Sequence, residues 1–203
     1  MKQNIRRIGK EEIKEFILKN KYPLYRVNQI FEWIWKKNAV EFEMMRNIPL
    51  EMRRVLNEWF CFTPVSVLRE ETSLDGSIKV VFLLNDGFNV EGVIIPSDDR
   101  VTACISTQVG CRMNCDFCAT AKMGFTRGLY ADEIYDQIML LNSISNREYK
   151  RSISNVVYMG MGEPLDNVEE VIKSINILIS KEIKGWSPSR ITVSTCGIPD
   201  GIR

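Results

Sequence analysis

Three cysteines stand close together in Gly110-Cys111-Arg112-Met113-Asn114-Cys115-Asp116-Phe117-Cys118, spaced C-x3-C-x2-C. Thiolates this near in sequence can converge on one metal centre without help from distant parts of the chain. An ordinary iron–sulfur site uses four cysteines, so a 4Fe–4S cluster held by three leaves one iron open to a substrate. The competing reading is a structural zinc knot that recruits Cys104. Its spacing would be C-x6-C-x3-C-x2-C, unlike the paired C-x2-C knuckles of zinc ribbons. Cys104 also falls in a predicted strand, where its side chain need not point toward the loop. The iron–sulfur reading is preferred.

The chain contains no histidine. That removes the commonest general base, every Cys/His zinc-finger pattern and the Ser-His-Asp triad. Two other segments carry candidate groups, Gly160-Met161-Gly162-Glu163-Pro164 and Ser194-Thr195-Cys196-Gly197. Glu163 can accept hydrogen bonds from an ammonium group, Ser194 can donate to a carboxylate, and glycine lets backbone approach a ligand closely. Glu91 interrupts the apolar stretch Val90 to Ile95. Alternation along a strand makes an outward-facing carboxylate the default there, with a pocket-facing acid or base as the alternative.

The elements that must position these groups can be read from periodicity. Residues 1–60 read as helical, with apolar stripes at Ile13, Phe16 and Ile17, at Val27, Ile30, Phe31 and Ile34, and at Met52, Val55, Leu56 and Trp59. Pro23 and Pro49 sit where helices can begin. The rings of Phe31-Glu32-Trp33-Ile34-Trp35 are expected to fill a small helical core rather than to stack on bases. Strands are predicted over Val65 to Leu68, Ile78 to Leu84 and Phe88 to Ile95, with turns at Asp75-Gly76 and Asn85-Asp86-Gly87.

Beyond Arg100 the pattern becomes βαβαβ. Strands are expected at Thr102 to Ser106, Asn155 to Met161 and Ile191 to Ser194, with one helix capped by Asp132 and another over Val168 to Leu178. Such alternation predicts a parallel sheet, whose ligands lie at the C-terminal strand ends. The cysteine loop, the Glu163 segment and the Ser194 segment each follow one of these strands, so all three are expected on one rim. A three-stranded parallel sheet has little core, and the chain is therefore read as a fragment of a larger α/β domain.

The 203 residues suit one sizeable domain, or a small domain joined to part of a larger one. A net charge of +1, from 27 basic and 26 acidic residues, neither requires nor excludes nucleic acid. Six cysteines, four of them at Cys104, Cys111, Cys115 and Cys118, argue for metal or redox chemistry over structural disulfides. No apolar run approaches membrane-spanning length and the start lacks a signal peptide's apolar core, so no membrane and a cytoplasmic location are the expectation.

Cys111-x3-Cys115-x2-Cys118, with Phe117 before the last cysteine, resembles the signature of the radical S-adenosylmethionine superfamily. The wider context is similar to one branch of it, the dual-specificity RNA methyltransferases that act on carbon 2 of adenine in 23S ribosomal RNA and certain transfer RNAs. That context runs from Ser106-Thr107-Gln108-Val109-Gly110-Cys111 through Gly124-Phe125, with Gly160-Met161-Gly162-Glu163-Pro164-Leu165 downstream. It also takes in the helical N-terminal region and Ile94 to Arg100. A sister branch methylates carbon 8 of the ribosomal adenine. It typically has Ala at the position of Pro164 and Cys at that of Val109, so those two residues favour carbon 2.

The resemblance implies a fold and a site. The fold is a helical accessory domain over 1–60, a β segment over 61–99, and the first three βα units of a partial (β/α) barrel over 100–203. Cys111, Cys115 and Cys118 would hold a 4Fe–4S cluster, with Gly162, Glu163 and Ser194 on S-adenosylmethionine. Cys104 would take part in proton removal and disulfide-linked product release, and Glu91 would accept a proton. In this family the transferred carbon first sits on a cysteine near the C-terminus, which this chain is not expected to supply, so it is expected to be inactive alone. Expected partners are the two RNAs and an electron donor such as flavodoxin or ferredoxin, acting on a monomer. Cys61 is given no role, and Cys196, at a usually apolar position, is expected to be a buried thiol. A zinc-stabilised RNA-binding module, or a radical activase or lyase, would be the competing classes.

Overall fold

The computed structural model describes residues 2–202. The chain forms two compact units, one taking in the chain up to Pro64 together with Ser180–Gly185, the other Val65–Ile179 with Trp186 onward. No helix among the described residues is long and apolar enough to cross a membrane.

The first unit contains β1 (Gln3–Asn4), α1 (Lys10–Lys19), α2 (Tyr25–Phe31), α3 (Leu50–Trp59) and β2 (Phe60–Cys61). Its core is made by the expected stripes: Ile13, Ile17, Val27, Ile30, Ile34, Met52 and Leu56 are all buried. Helix α2 widens into a π turn over Glu32–Lys36, closed by Lys37 N–H donating to the Glu32 carbonyl at 2.9 Å. The extra residue per turn rotates Trp35 into the core, whereas Trp33 stays half-buried under the Lys37 ammonium, 4.2 Å from its ring centre. The expectation that these rings fill the core therefore holds for Trp35 and only partly for Phe31 and Trp33.

The second unit is built on a six-stranded sheet of β3 (Ser66–Thr72), β4 (Ile78–Leu83), β5 (Asn89–Pro96), β6 (Val101–Cys104), β9 (Asn155–Tyr158) and β10 (Ile191–Val193), in spatial order β10-β9-β6-β5-β4-β3. Strands β6, β9 and β10 are parallel, as expected. The antiparallel strands extend the same sheet, because β5 pairs with β6 from Val93↔Cys104 to Pro96↔Val101. Hydrogen bonding thus runs straight across the division that the sequence suggests at residue 100. One face is apolar and covered by α5 (Ala131–Tyr149) and α6 (Val168–Ile179): Val80, Phe82, Val90, Ile94, Ala103 and Val156 are buried there. Tyr158 reaches Ser174 of α6 with an O···O distance of 2.8 Å, and burial pushes its phenol pKa up. Helix α5 starts one residue before Asp132, with Tyr130 in the cap position, so Asp132 lies in the first turn.

One element is absent from the periodicity reading. Between β6 and α5 the chain makes a small antiparallel pair, β7 (Gln108–Gly110) with β8 (Phe125–Gly128), and a single turn of helix, α4 (Ala119–Lys122). The cysteine loop is the head of this hairpin rather than a plain strand-to-helix connection.

Candidate metal and cofactor centre

Because β6, β9 and β10 run the same way, the segments that leave their C-terminal ends emerge on one rim. Side chains sew these segments together. Thr107 N–H donates to the Met161 carbonyl at 2.8 Å, and Met161 N–H donates to Ser106 Oγ at 2.8 Å. Gln108 then uses both ends of its amide. Its Oε1 accepts the Glu163 N–H at 2.9 Å, and its Nε2 donates to Asp166 Oδ2 at 2.8 Å. Only glycine fits at 162, where φ is +100° and an added Cβ would lie 2.5 Å from Gln108 Cβ.

Asp166 is also the point at which the cysteine loop is tied down. Arg112 Nε lies 2.9 Å from Asp166 Oδ2, and its guanidinium sits 3.9 Å from the centre of the Phe125 ring. At the loop's base Cys111 N–H donates to the Gly124 carbonyl at 3.0 Å. Gly110 permits this closure, since φ is +76° and a Cβ would fall 1.7 Å from Gly124 O. Asn114 adopts a left-handed φ of 51°, and Cys118 N–H donates to the Cys115 carbonyl at 3.0 Å, which turns the loop back on itself. Cys111 is buried, Cys115 and Cys118 are half-buried, and all three are free thiols. Phe117 is 93% exposed.

Among the described residues, no three Cys, Asp or Glu side chains are gathered closely enough to hold a metal ion. The donor set nevertheless fits an iron–sulfur cluster. It offers three reduced sulfurs within one short, glycine-hinged loop, and ligands commonly close on a metal only as it binds.

Glu163 is nearly buried, at 5% exposure, and its carboxylate is held from two sides. Leu165 N–H (2.9 Å) and Thr195 Oγ1 (2.6 Å) donate to Oε1, and Cys196 N–H donates to Oε2 at 2.9 Å. Burial alone would raise its pKa, but these donors outweigh it and hold the group below the ordinary glutamate range. Ser194 is exposed at the end of β10. Cys196 is exposed rather than buried, because the chain has already left the sheet there. Its thiol pKa is pushed up, chiefly by a hydrogen bond to Glu163, with burial and nearby Cys115 adding to the effect.

Glu91 and Cys104 fall on the sheet face opposite α5. Val93 pairs with Cys104, and Glu91 lies two residues along the same strand, so both side chains share that face. Glu91 is ion-paired with Lys79 at 2.8 Å. Burial pushes the Cys104 thiol pKa up, partly offset by a hydrogen bond with the Met159 backbone. Sequence reasoning missed Thr195, Asp166 and the bridging role of Gln108. A glutamine among small residues just before a cysteine loop is a faint signal, and Thr195 offers none.

The solved structure of a radical SAM methyltransferase from Sphaerobacter thermophilus matches 97% of this chain and 57% of its own, with a TM-score of 0.84 and 37% identity. The fold is that of the radical S-adenosylmethionine methyltransferases. Residues 3–62 match the family model described as the ribosomal RNA large subunit methyltransferase N-terminal domain. The probable dual-specificity RNA methyltransferase RlmN of Flavobacterium johnsoniae is 44% identical over 202 residues, covering 100% of this chain and 58% of its own length. The corresponding protein of Campylobacter concisus is 45% identical, with 99% and 55% covered. The chain is similar to these RlmN proteins and spans between half and two thirds of their length.

Proposed function

We propose that the chain is the cluster-bearing part of an RNA methyltransferase that modifies carbon 2 of adenine in 23S ribosomal RNA and transfer RNA, by way of a methylated cysteine. The observation that carries this reading is the sewn rim: the cysteine loop, the Glu163 loop and the end of β10 converge through Gln108, Asp166 and Thr195. The RlmN relatives support the substrate class, and Val109 and Pro164 support carbon 2 over carbon 8.

In this proposal Cys111, Cys115 and Cys118 hold a 4Fe–4S cluster. With S-adenosylmethionine bound, the cluster supplies the one-electron chemistry that an unreactive adenine ring carbon requires. Gly162 lets the backbone approach the cofactor, Glu163 takes its ammonium group, and Ser194 donates to its carboxylate. Glu91 Oε1 or Oε2 accepts a proton, and Cys104 Sγ takes part in proton removal and product release. Their common sheet face supports this pairing. Electrons come from a small redox protein of the flavodoxin or ferredoxin kind.

Anaerobic reconstitution with ferrous iron and sulfide tests the cluster. A brown, dithionite-reducible product with about four irons per chain is the expected result. A colourless chain carrying one zinc would reject it in favour of a zinc-stabilised RNA-binding module.

A further inference from the structure

Glu163 makes more hydrogen bonds than an anchor for a single cation requires. A carboxylate offers about four lone-pair positions. Leu165 N–H and Thr195 Oγ1 occupy Oε1, and Cys196 N–H occupies one position of Oε2. The direction of the Thr195 hydroxyl is settled by a second contact. Its oxygen accepts the Gly197 N–H at 3.0 Å, which leaves its own proton for Glu163. The β-branched side chain also restricts rotation about χ1. Oε2 thus accepts one hydrogen bond, from the Cys196 amide, whereas a carboxylate oxygen can accept two.

We infer that Thr195 is a positioning residue: its hydroxyl, with the Cys196 amide, pins the Glu163 carboxylate to the loop after β10 and keeps it fixed and anionic for the ammonium group of S-adenosylmethionine. The inference rests on the assignment of Glu163 to that cofactor. Two strong donors lock the carboxylate across two loops that are far apart in sequence. The second lone-pair position of Oε2 is the one an ammonium, as a charge-assisted donor, takes. Asp166, the other carboxylate of this loop, is engaged by Arg112 and Gln108 and does not compete.

The test is a carbon-13 NMR titration of the Glu163 side-chain carboxyl in the 203-residue chain, with Glu163→Gln identifying the resonance. Thr195→Val should raise the titration midpoint by about one pH unit. Thr195→Ser, which keeps the hydroxyl, should restore it to within a few tenths of a unit. A valine variant that titrates like the parent overturns the inference, and so does a serine variant that behaves like valine. A second arm adds S-adenosylmethionine at neutral pH. Movement of the Glu163 resonance supports the cofactor assignment. No movement rejects that assignment, and with it the ammonium role, while the titrations still decide whether Thr195 positions the carboxylate.

Discussion

The two loops that form the rim differ in how far the protein settles their geometry unaided. The Glu163 loop is complete: Gln108, Leu165, Thr195 and Cys196 supply its partners, and its carboxylate is nearly buried. The cysteine loop is pinned only at Cys111 and Arg112, and its sulfurs are not drawn together. A carboxylate can be preorganised by hydrogen bonds, which are directional and local. Under the proposed cluster assignment the three sulfurs would close on the metal as it binds. In that proposal one half of the centre is built by folding and the other by loading.

Four experiments would break or sharpen this contrast. Cys115→Ala should have the largest effect, reducing iron after reconstitution from about four per chain to background while leaving the fold intact by circular dichroism. Iron retention at the parental level would mean that Cys115 is not a ligand. Gly162→Ala strikes the preorganised loop, where both the positive φ and the approach of Gln108 oppose a side chain. A loss of about 2–3 kcal/mol in urea unfolding is expected, and a loss below half that would show the loop to be pliable.

Asp166→Ala removes the acceptor shared by Gln108 and Arg112, and should cost about 1–2 kcal/mol. Arg112→Ala breaks only the exposed half of that link and should cost less than about 1 kcal/mol. Comparing the two variants separates bracing of the rim from bracing of the cysteine loop. The smallest effect is on acidification. Glu163 has a depressed pKa when folded, so its stabilising contribution is fully present above the unfolded glutamate value, about 4.3, and is lost as pH falls through the lower folded value. Protection factors of the Leu165 and Cys196 amides, corrected for the intrinsic pH dependence of exchange, should therefore fall below about pH 4 and stay constant from there to neutrality. A fall in protection already at pH 6 would point to a different titrating group.

Much of this architecture could be read from the sequence. The apolar runs at Asn155 and Ile191 gave parallel strands, and the alternation around Val80 and Val90 gave the antiparallel ones, because burial imposes a period that composition displays. The hairpin of β7 and β8 escaped for the opposite reason. Its strands are three and four residues long and contain Gly110 and Gly128, too short and too small-sided for any period. The joining of β5 to β6 was hidden because pairing partners are not encoded locally. Thr195 and Cys196 belong to the same class. A threonine becomes informative only when a carboxylate from another loop arrives at its hydroxyl, and the exposure of Cys196 depends on where β10 stops.

The two margins of the six-stranded sheet are not alike. At one margin β3 is seven residues long, bulged between Val67 and Arg69, and carries Arg69, Glu70 and Glu71 in the open. Charges and a bulge on an outer strand deter stray backbone from adding to it. At the other margin β10 offers Ile191-Thr192-Val193, short and uncharged. Among the described residues, the charges and the bulge that deter strand addition therefore lie on the β3 side of the sheet.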